Sequence, residues 1–211
     1  MNIYTKNLSK RFNREWIFKD FTVEFSSPNT YAIVGPNGSG KSTLLQVLWG
    51  QMLPSYGSLN YEQNGKDIPL DEIFKYISIA TPYMDLIDEF TLIEMIKFHF
   101  RFKTIRNNKT IEELLDIFDL PKAKDKTIAN FSSGMRQRLK LGLAFYSKAD
   151  ILFLDEPTTN LDKKSIDWYQ HNREQLPKET LIFIASNQDH EYPTSAQKIN
   201  ILSHKNGLLK V

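Results

Sequence analysis

Gly35-Pro36-Asn37-Gly38-Ser39-Gly40-Lys41-Ser42, with Thr43 behind it, is the stretch on which the fold turns. It has the spacing G-x-x-x-x-G-K-[ST]. The run Tyr31-Ala32-Ile33-Val34 ahead of it is strand-like, and a helical pattern follows from about Lys41 to Trp49, stopping near Gly50. Glycine permits the positive φ that turns successive N–H groups inward, and a helix N-terminus adds partial positive charge at the same point. Three of the chain's nine glycines lie in this loop, more than a plain connecting turn requires. The pattern points to a polyphosphate cradle made by Gly35, Pro36, Asn37, Gly38, Ser39, Gly40 and Thr43. Lys41 would reach the β- and γ-phosphates, and the Ser42 hydroxyl would ligate Mg2+.

Ile151-Leu152-Phe153-Leu154-Asp155-Glu156-Pro157 is a continuous apolar run ended by two acids, and Leu181-Ile182-Phe183-Ile184-Ala185 is a second such run. Apolar runs of this length without polar alternation suit parallel strands covered on both faces. Between them a polar segment, opened by Asp162 and carrying Ile166, Trp168 and Leu176, predicts a helix and so a βαβ unit. Asp155, at a strand end, is placed to hold Mg2+. Glu156 beside it is placed to orient and deprotonate an attacking water.

Working outward, Ile3 to Leu8, Phe21-Thr22-Val23-Glu24-Phe25, Tyr56 to Tyr61 and Tyr76 to Ile79 predict strands. From about Thr91 to Ser147 the period becomes helical. Leu92, Ile93, Ile96, Phe98 and Phe100 form one amphipathic run. Thr110-Ile111-Glu112-Glu113 has capping-box spacing and opens a second helix through Leu114, Leu115, Ile117 and Phe118. A third begins near Ser133 and passes Leu139, Leu143 and Phe145. The order, β-rich then helical then alternating, implies an α/β nucleus with a helical insertion.

The chain has 211 residues, 41% apolar and 25% charged, which is the composition of a globular protein rather than a disordered one. A formal charge of +2 gives no global field for holding DNA or an anionic membrane. There is no cysteine, which excludes disulfides, thiolate zinc sites and thiol nucleophiles. No secretory h-region follows Met1, and no run approaches the ~18 apolar residues needed to span a bilayer. A cytoplasmic protein is expected, and a role in transport would need a separate membrane subunit.

A third motif decides the family. Phe131-Ser132-Ser133-Gly134-Met135-Arg136-Gln137-Arg138 lies between the phosphate loop and the carboxylate strand, at the start of a helix. Serines at a helix N-terminus, with Gly134, offer hydroxyl and N–H donors to an anion. The segment resembles the signature of the ATP-binding-cassette (ABC) ATPases, in a variant of LSGGQ. Thr158-Thr159-Asn160-Leu161-Asp162 resembles the family's D-loop, and Phe12 stands where the family has an aromatic residue that stacks on adenine.

The resemblance spans nearly the whole chain. It implies a P-loop NTPase (RecA-like) core with an antiparallel β subdomain and an ABC-type helical subdomain. The expected layout is one domain over 1–211, with the helical subdomain at about 82–147 and the rest at about 1–81 and 148–211. It also implies ATP and Mg2+ as ligands. Two cassettes, in a homodimer or a pseudo-dimer with a related chain, would pack head to tail. Ser132, Ser133, Gly134 and Met135 of one would then close on the ATP of the other.

Two positions depart from the family. Ile79-Ala80-Thr81-Pro82-Tyr83 has no Gln where the family has one. Asn187, in Ile184-Ala185-Ser186-Asn187-Gln188, falls where the family has a His that meets the γ-phosphate. His190, three residues on, is expected at the surface. Asn donates a hydrogen bond but takes up no proton near neutral pH, so slow hydrolysis is expected.

The favoured reading is the ATPase subunit of a membrane transporter, with export preferred. It would be peripheral on the cytoplasmic membrane face and bound to a polytopic permease, with no nucleic acid. Tyr83, Met84, Leu86, Ile87 and Phe90 would line an exposed groove for that partner. The alternatives are a soluble cassette acting on nucleic acid or ribosomes, and a regulatory cassette with little turnover. Lys97, Arg101, Lys103, Arg106 and Lys109 form the one basic run that favours nucleic acid, and a solvated helix face explains it equally well. Only about 90 residues separate Lys41 from Ser132, too few for the long coiled-coil arm of chromosome-acting members.

Overall fold

A computed structural model describes residues 1–205. In chain order the strands and helices are β1 (Asn2–Phe12), β2 (Glu15–Phe21), β3 (Glu24–Ser26), β4 (Thr30–Val34), α1 (Lys41–Leu48), β5 (Tyr56–Gln63), β6 (Lys66–Ile68), β7 (Ile77–Ala80), α2 (Leu92–His99), α3 (Ile111–Ile117), α4 (Ser133–Tyr146), β8 (Ile151–Asp155), α5 (Lys163–Glu174), β9 (Leu181–Ser186) and β10 (Gln197–Asn200). They fall into two compact units. The first holds Met1–Ile77, Asp150–Glu156 and, of the described residues, 178–205. The second holds Ser78–Ala149 and Pro157–Pro177.

The first unit contains two sheets. One is antiparallel, ordered β2-β1-β5-β6, with β3 also on β1. The other is parallel and runs β10-β4-β9-β8. Every residue of β8 and β9 is buried, as their unbroken apolar character demands. Aromatic rings fill the core: Phe183 stacks on Phe153 at 4.9 Å and meets Phe25 edge-on at 4.9 Å, while Trp49 packs edge-on to Phe153 at 5.6 Å. The Tyr61 hydroxyl, deep in this core, donates to the Leu48 carbonyl at 3.0 Å.

Register positions the site. Val34 pairs with Ser186, and Ala185 pairs with Asp155. The loop after β4, the acid ending β8 and the segment after β9 therefore leave the sheet at one carboxyl edge, where ligands of open α/β sheets bind.

The second unit is helical. Thr91 and Thr110 each cap a helix reciprocally with Glu94 and Glu113, which satisfies otherwise orphaned N–H groups. The Trp168 indole donates to the Ile117 carbonyl at 2.6 Å. Phe118, Leu139, Leu143, Phe145 and Tyr169 are buried.

Several expectations need correction. Phe21–Phe25 is not one strand. β2 ends at Phe21, and the Thr5 side chain ties down Val23, so the chain breaks before β3. β2 is hard to see in the sequence because Glu15, Lys19 and Asp20 interrupt its apolar residues; Glu15 and Asp20 are exposed and Lys19 is half-buried. In α5 the buried residues are Ser165, Tyr169 and Asn172, whereas Ile166 and Trp168 are half-buried and Leu176 lies past the helix end. Phe100 caps α2 rather than extending it.

The basic run is not one solvated face. Arg106 is 6% exposed, with its guanidinium on the Tyr146 ring and donating to the Gln175 carbonyl at 2.8 Å. The expected apolar groove is mixed as well, since Tyr83 is exposed but Leu86 is buried in the second unit.

Candidate nucleotide-binding site

Gly40 ends the loop at φ +107, and a Cβ there would run into the Ile17 side chain, so glycine is required on two counts. Lys41 opens α1 with a buried side chain. Its ammonium donates to the Gly35 carbonyl at 3.0 Å and the Pro36 carbonyl at 3.3 Å, and lies 4.0 Å from a Glu156 carboxylate oxygen. Those are bonds it can exchange for phosphate oxygens. Ser39 is buried, and its hydroxyl has no partner among the described residues, while Pro36, Asn37 and Gly38 are exposed at the mouth. Ser42 and Thr43 follow in the first turn, half-buried.

Asp155 is 1% exposed, and its Oδ1 has no hydrogen-bond partner among the described residues. Burial pushes its carboxyl up to about 6. A Ser42 hydrogen bond and the Lys41 charge pull it down, whereas Glu156 and Glu191 push it further up. An orphaned carboxylate oxygen and a serine hydroxyl beside a buried ammonium fit a phosphate-borne Mg2+. Such an ion takes one or two carboxylates from the protein and the rest of its ligands from phosphate and water. Glu156 has φ +44, which a non-glycine residue rarely adopts. Its N–H donates to the Ala185 carbonyl at 2.9 Å. Backbone strain of this kind collects at functional sites.

Phe12 ends β1, 45% exposed, with the Lys10 ammonium 5.2 Å from its ring centroid. The Asn187 amide is exposed and donates to Asn37 Oδ1 at 3.2 Å, at the mouth of the phosphate loop. His190 is exposed. Nothing in the sequence points to Glu191, buried at 1% and close enough to push the Asp155 carboxyl up, or to Ile17 against Gly40. Neither sits in a motif, and only the packing reveals them.

In the second unit Ser132 caps α4, its hydroxyl accepting from the Met135 N–H at 3.2 Å. Ser133 and Gly134 form the first turn, with the Gly134 Cα closely approached by the Asn160 carbonyl. Gln137 is buried and donates to the Pro157 carbonyl at 2.8 Å. The signature helix is thus tied to the D-loop segment. Thr81 is buried, and the Lys140 ammonium donates to the Thr81 and Pro82 carbonyls at 3.4 and 2.9 Å.

Residues 18–159 match the family described as ABC transporter. The chain belongs to that family. ABC domains bind ATP and are ATPases as a class, and the parallel-sheet P-loop core with its antiparallel β portion is their fold. This ABC chain is 31% identical over 76% of its length to the ABC transporter ATP-binding protein YybJ of Bacillus subtilis (strain 168), of which it covers 73%. It is 31% identical over 77% of its length to the daunorubicin/doxorubicin resistance ATP-binding protein DrrA of Streptomyces peucetius, covering half of that protein. It is 28% identical over 99% of its length to the bacitracin transport ATP-binding protein BcrA of Bacillus licheniformis, covering 68%. An ABC transporter ATP-binding protein from Pyrococcus furiosus shares the fold at TM-score 0.80 and 19% identity, with 98% of this chain and all of that chain covered. No helix among the described residues is long and apolar enough to cross a membrane.

Proposed function

We propose that this chain is one ABC ATPase domain that binds and hydrolyses MgATP to drive a polytopic permease from the cytoplasmic membrane face. Its layout is the helical subdomain at about 82–147 and the remainder at about 1–81 and 148–211, of which 206–211 lie outside the described residues. The observation that carries the reading is the buried Lys41 ammonium, held on loop carbonyls beside an orphaned Asp155 oxygen at the carboxyl edge of the sheet.

Phe12 stacks on adenine. The loop amides, Ser39 and Lys41 hold the phosphates. Ser42 and Asp155 would hold Mg2+, which when bound neutralises charge developing on the β- and γ-phosphates. Glu156 positions a water and takes its proton as the water oxygen bonds to the γ-phosphorus. The bond from that phosphorus to the β–γ bridging oxygen breaks, and its electron pair leaves with ADP.

Ser132, Ser133, Gly134 and Met135 of a second cassette cover the same phosphates, so ATP favours the closed dimer through its extra contacts there. Export is favoured by the drug-resistance role of DrrA, while the bacitracin transport role of BcrA fixes no direction. Sulfate/thiosulfate import proteins at 30% identity weigh the other way. Phosphate release from ATP by the purified protein tests the core of the reading. Slow, magnesium-dependent release that Lys41→Ala abolishes supports it, and a rate indifferent to Lys41→Ala overturns it.

A regulatory cassette is the second reading. It is favoured by the neutral Asn187–Asn37 pair at the loop mouth, neither member of which can take a proton near neutral pH. Single-turnover hydrolysis separates the two readings: cleavage of the bound ATP supports a motor, and retention of intact ATP supports a regulator.

A further inference from the structure

β1 is irregular at one place, and a cavity opens there. Its register with β5 shifts between Lys6 and Ser9, and its register with β2 shifts between Leu8 and Lys10. Asn7 sits at φ +50 and Gly57 at φ +83. A Cβ on Gly57 would run into the Asn7 and Lys6 carbonyls, so the approach of the two strands needs glycine. Bulges of this kind re-aim side chains and gather near binding sites. The result is a concavity of about 520 Å3 with a polar floor of Lys6, Asn7, Ser9 and Ser58 and an aromatic wall of Trp16 and Tyr56.

The wall is partly exposed and cationic. The Trp16 and Tyr56 rings lie 5.9 Å apart, tilted by 43°, and Tyr56 is 56% exposed. The Arg11 guanidinium sits 5.6 Å from the Trp16 ring and 5.7 Å from the Tyr56 ring, and the Lys19 ammonium is 5.7 Å from Trp16. The Lys6 ammonium makes no hydrogen bond or ion pair among the described residues. The one acid in the lining is Asp20, in a long 3.9 Å pair with Lys19. Ile17, the next residue of β2, lies against Gly40. Among the described residues, none from the phosphate loop lines the cavity.

An apolar partner would strand these cations, and a bare phosphate would leave the rings unused. A planar base carrying a phosphate uses both, through stacking and charge. We propose that this cavity binds a nucleoside phosphate, its base on the Trp16–Tyr56 wall and its phosphate between Lys6 and Lys19. The ligand is either a free nucleotide or one nucleotide of a single-stranded RNA. The inference does not depend on the reading of the phosphate loop.

The test is equilibrium dialysis of the full chain against labelled ADP, with fluorescence anisotropy of a labelled six-nucleotide RNA, both in a Lys41→Ala background. Lys41→Ala removes the phosphate-loop component if the ATPase reading holds, and leaves the second site intact. Tyr56→Ser and Lys6→Glu, both at exposed residues, should each weaken the remaining binding about tenfold or more, with the thermal midpoint measured alongside to show that the fold is kept. RNA bound more tightly than ADP assigns the strand as ligand, and ADP bound as tightly or more tightly assigns the free nucleotide. A Lys41→Ala chain that binds neither probe, or binds either with no sensitivity to both surface changes, overturns the proposal.

Discussion

Asp155 shows at a single residue what the site costs the fold. Its carboxyl, buried at 1% exposure, titrates at about 6 rather than in the usual carboxylate range. A raised folded-state value means that stability is fully present below the unfolded value, near 4, and is lost as pH rises through about 6. Asp155→Asn should therefore stabilise the nucleotide-free protein by about 2–3 kcal/mol at pH 7.5, on the order of two pKa units. The gain should shrink to nothing near pH 4. Urea unfolding of both proteins across that range checks the sign, and equal midpoints at pH 7.5 would contradict it. Asn187 makes the converse case, because its amide is bound to Asn37 where a proton acceptor would be useful. Asn187→His should raise phosphate release at least about tenfold, and an unchanged rate would separate this position from the γ-phosphate.

Among the elements, what the sequence revealed depended on whether the physics was local. The phosphate loop, the β8 run ending in Asp155 and the Thr110–Glu113 capping box are local, and each stands where its residues placed it. Thr91-Leu92-Ile93-Glu94 has the same capping spacing and does open α2, a signal legible in the letters. β2 and β6 were illegible. β6 is short and mostly polar, and the apolar residues of β2 alternate irregularly with charged ones; the strand state of both comes from pairing with β1 and β5, which no short window contains. The buried face of α5 was illegible for a similar reason. Tyr169 and Asn172 are drawn inward by Phe145 and the Tyr146 hydroxyl, not by their own hydropathy.

The signature helix gives a test at this scale. Ser132→Ala removes the acceptor for the Met135 N–H and should cost about 1 kcal/mol of stability. Urea denaturation measures this, and no shift in midpoint would show that the cap is energetically silent. Gly142→Ala in the same helix would press a methyl group into the Phe118 ring and should cost about 1–3 kcal/mol, read by the same measurement.

For the whole molecule, the division into two units sets what one chain can do. Lys41, Asp155 and Glu156 belong to the first unit, and the Ser132-capped helix belongs to the second. Under the proposed scheme the second unit serves the nucleotide of another copy, so assembly and ATP binding are linked. The sharpest measurement is size-exclusion chromatography of Glu156→Gln with MgATP, with the nucleotide that co-elutes identified. A dimer that retains uncleaved ATP and reverts to monomer on adding Lys41→Ala is the expected result. A monomer eluting free of nucleotide at millimolar MgATP would contradict it.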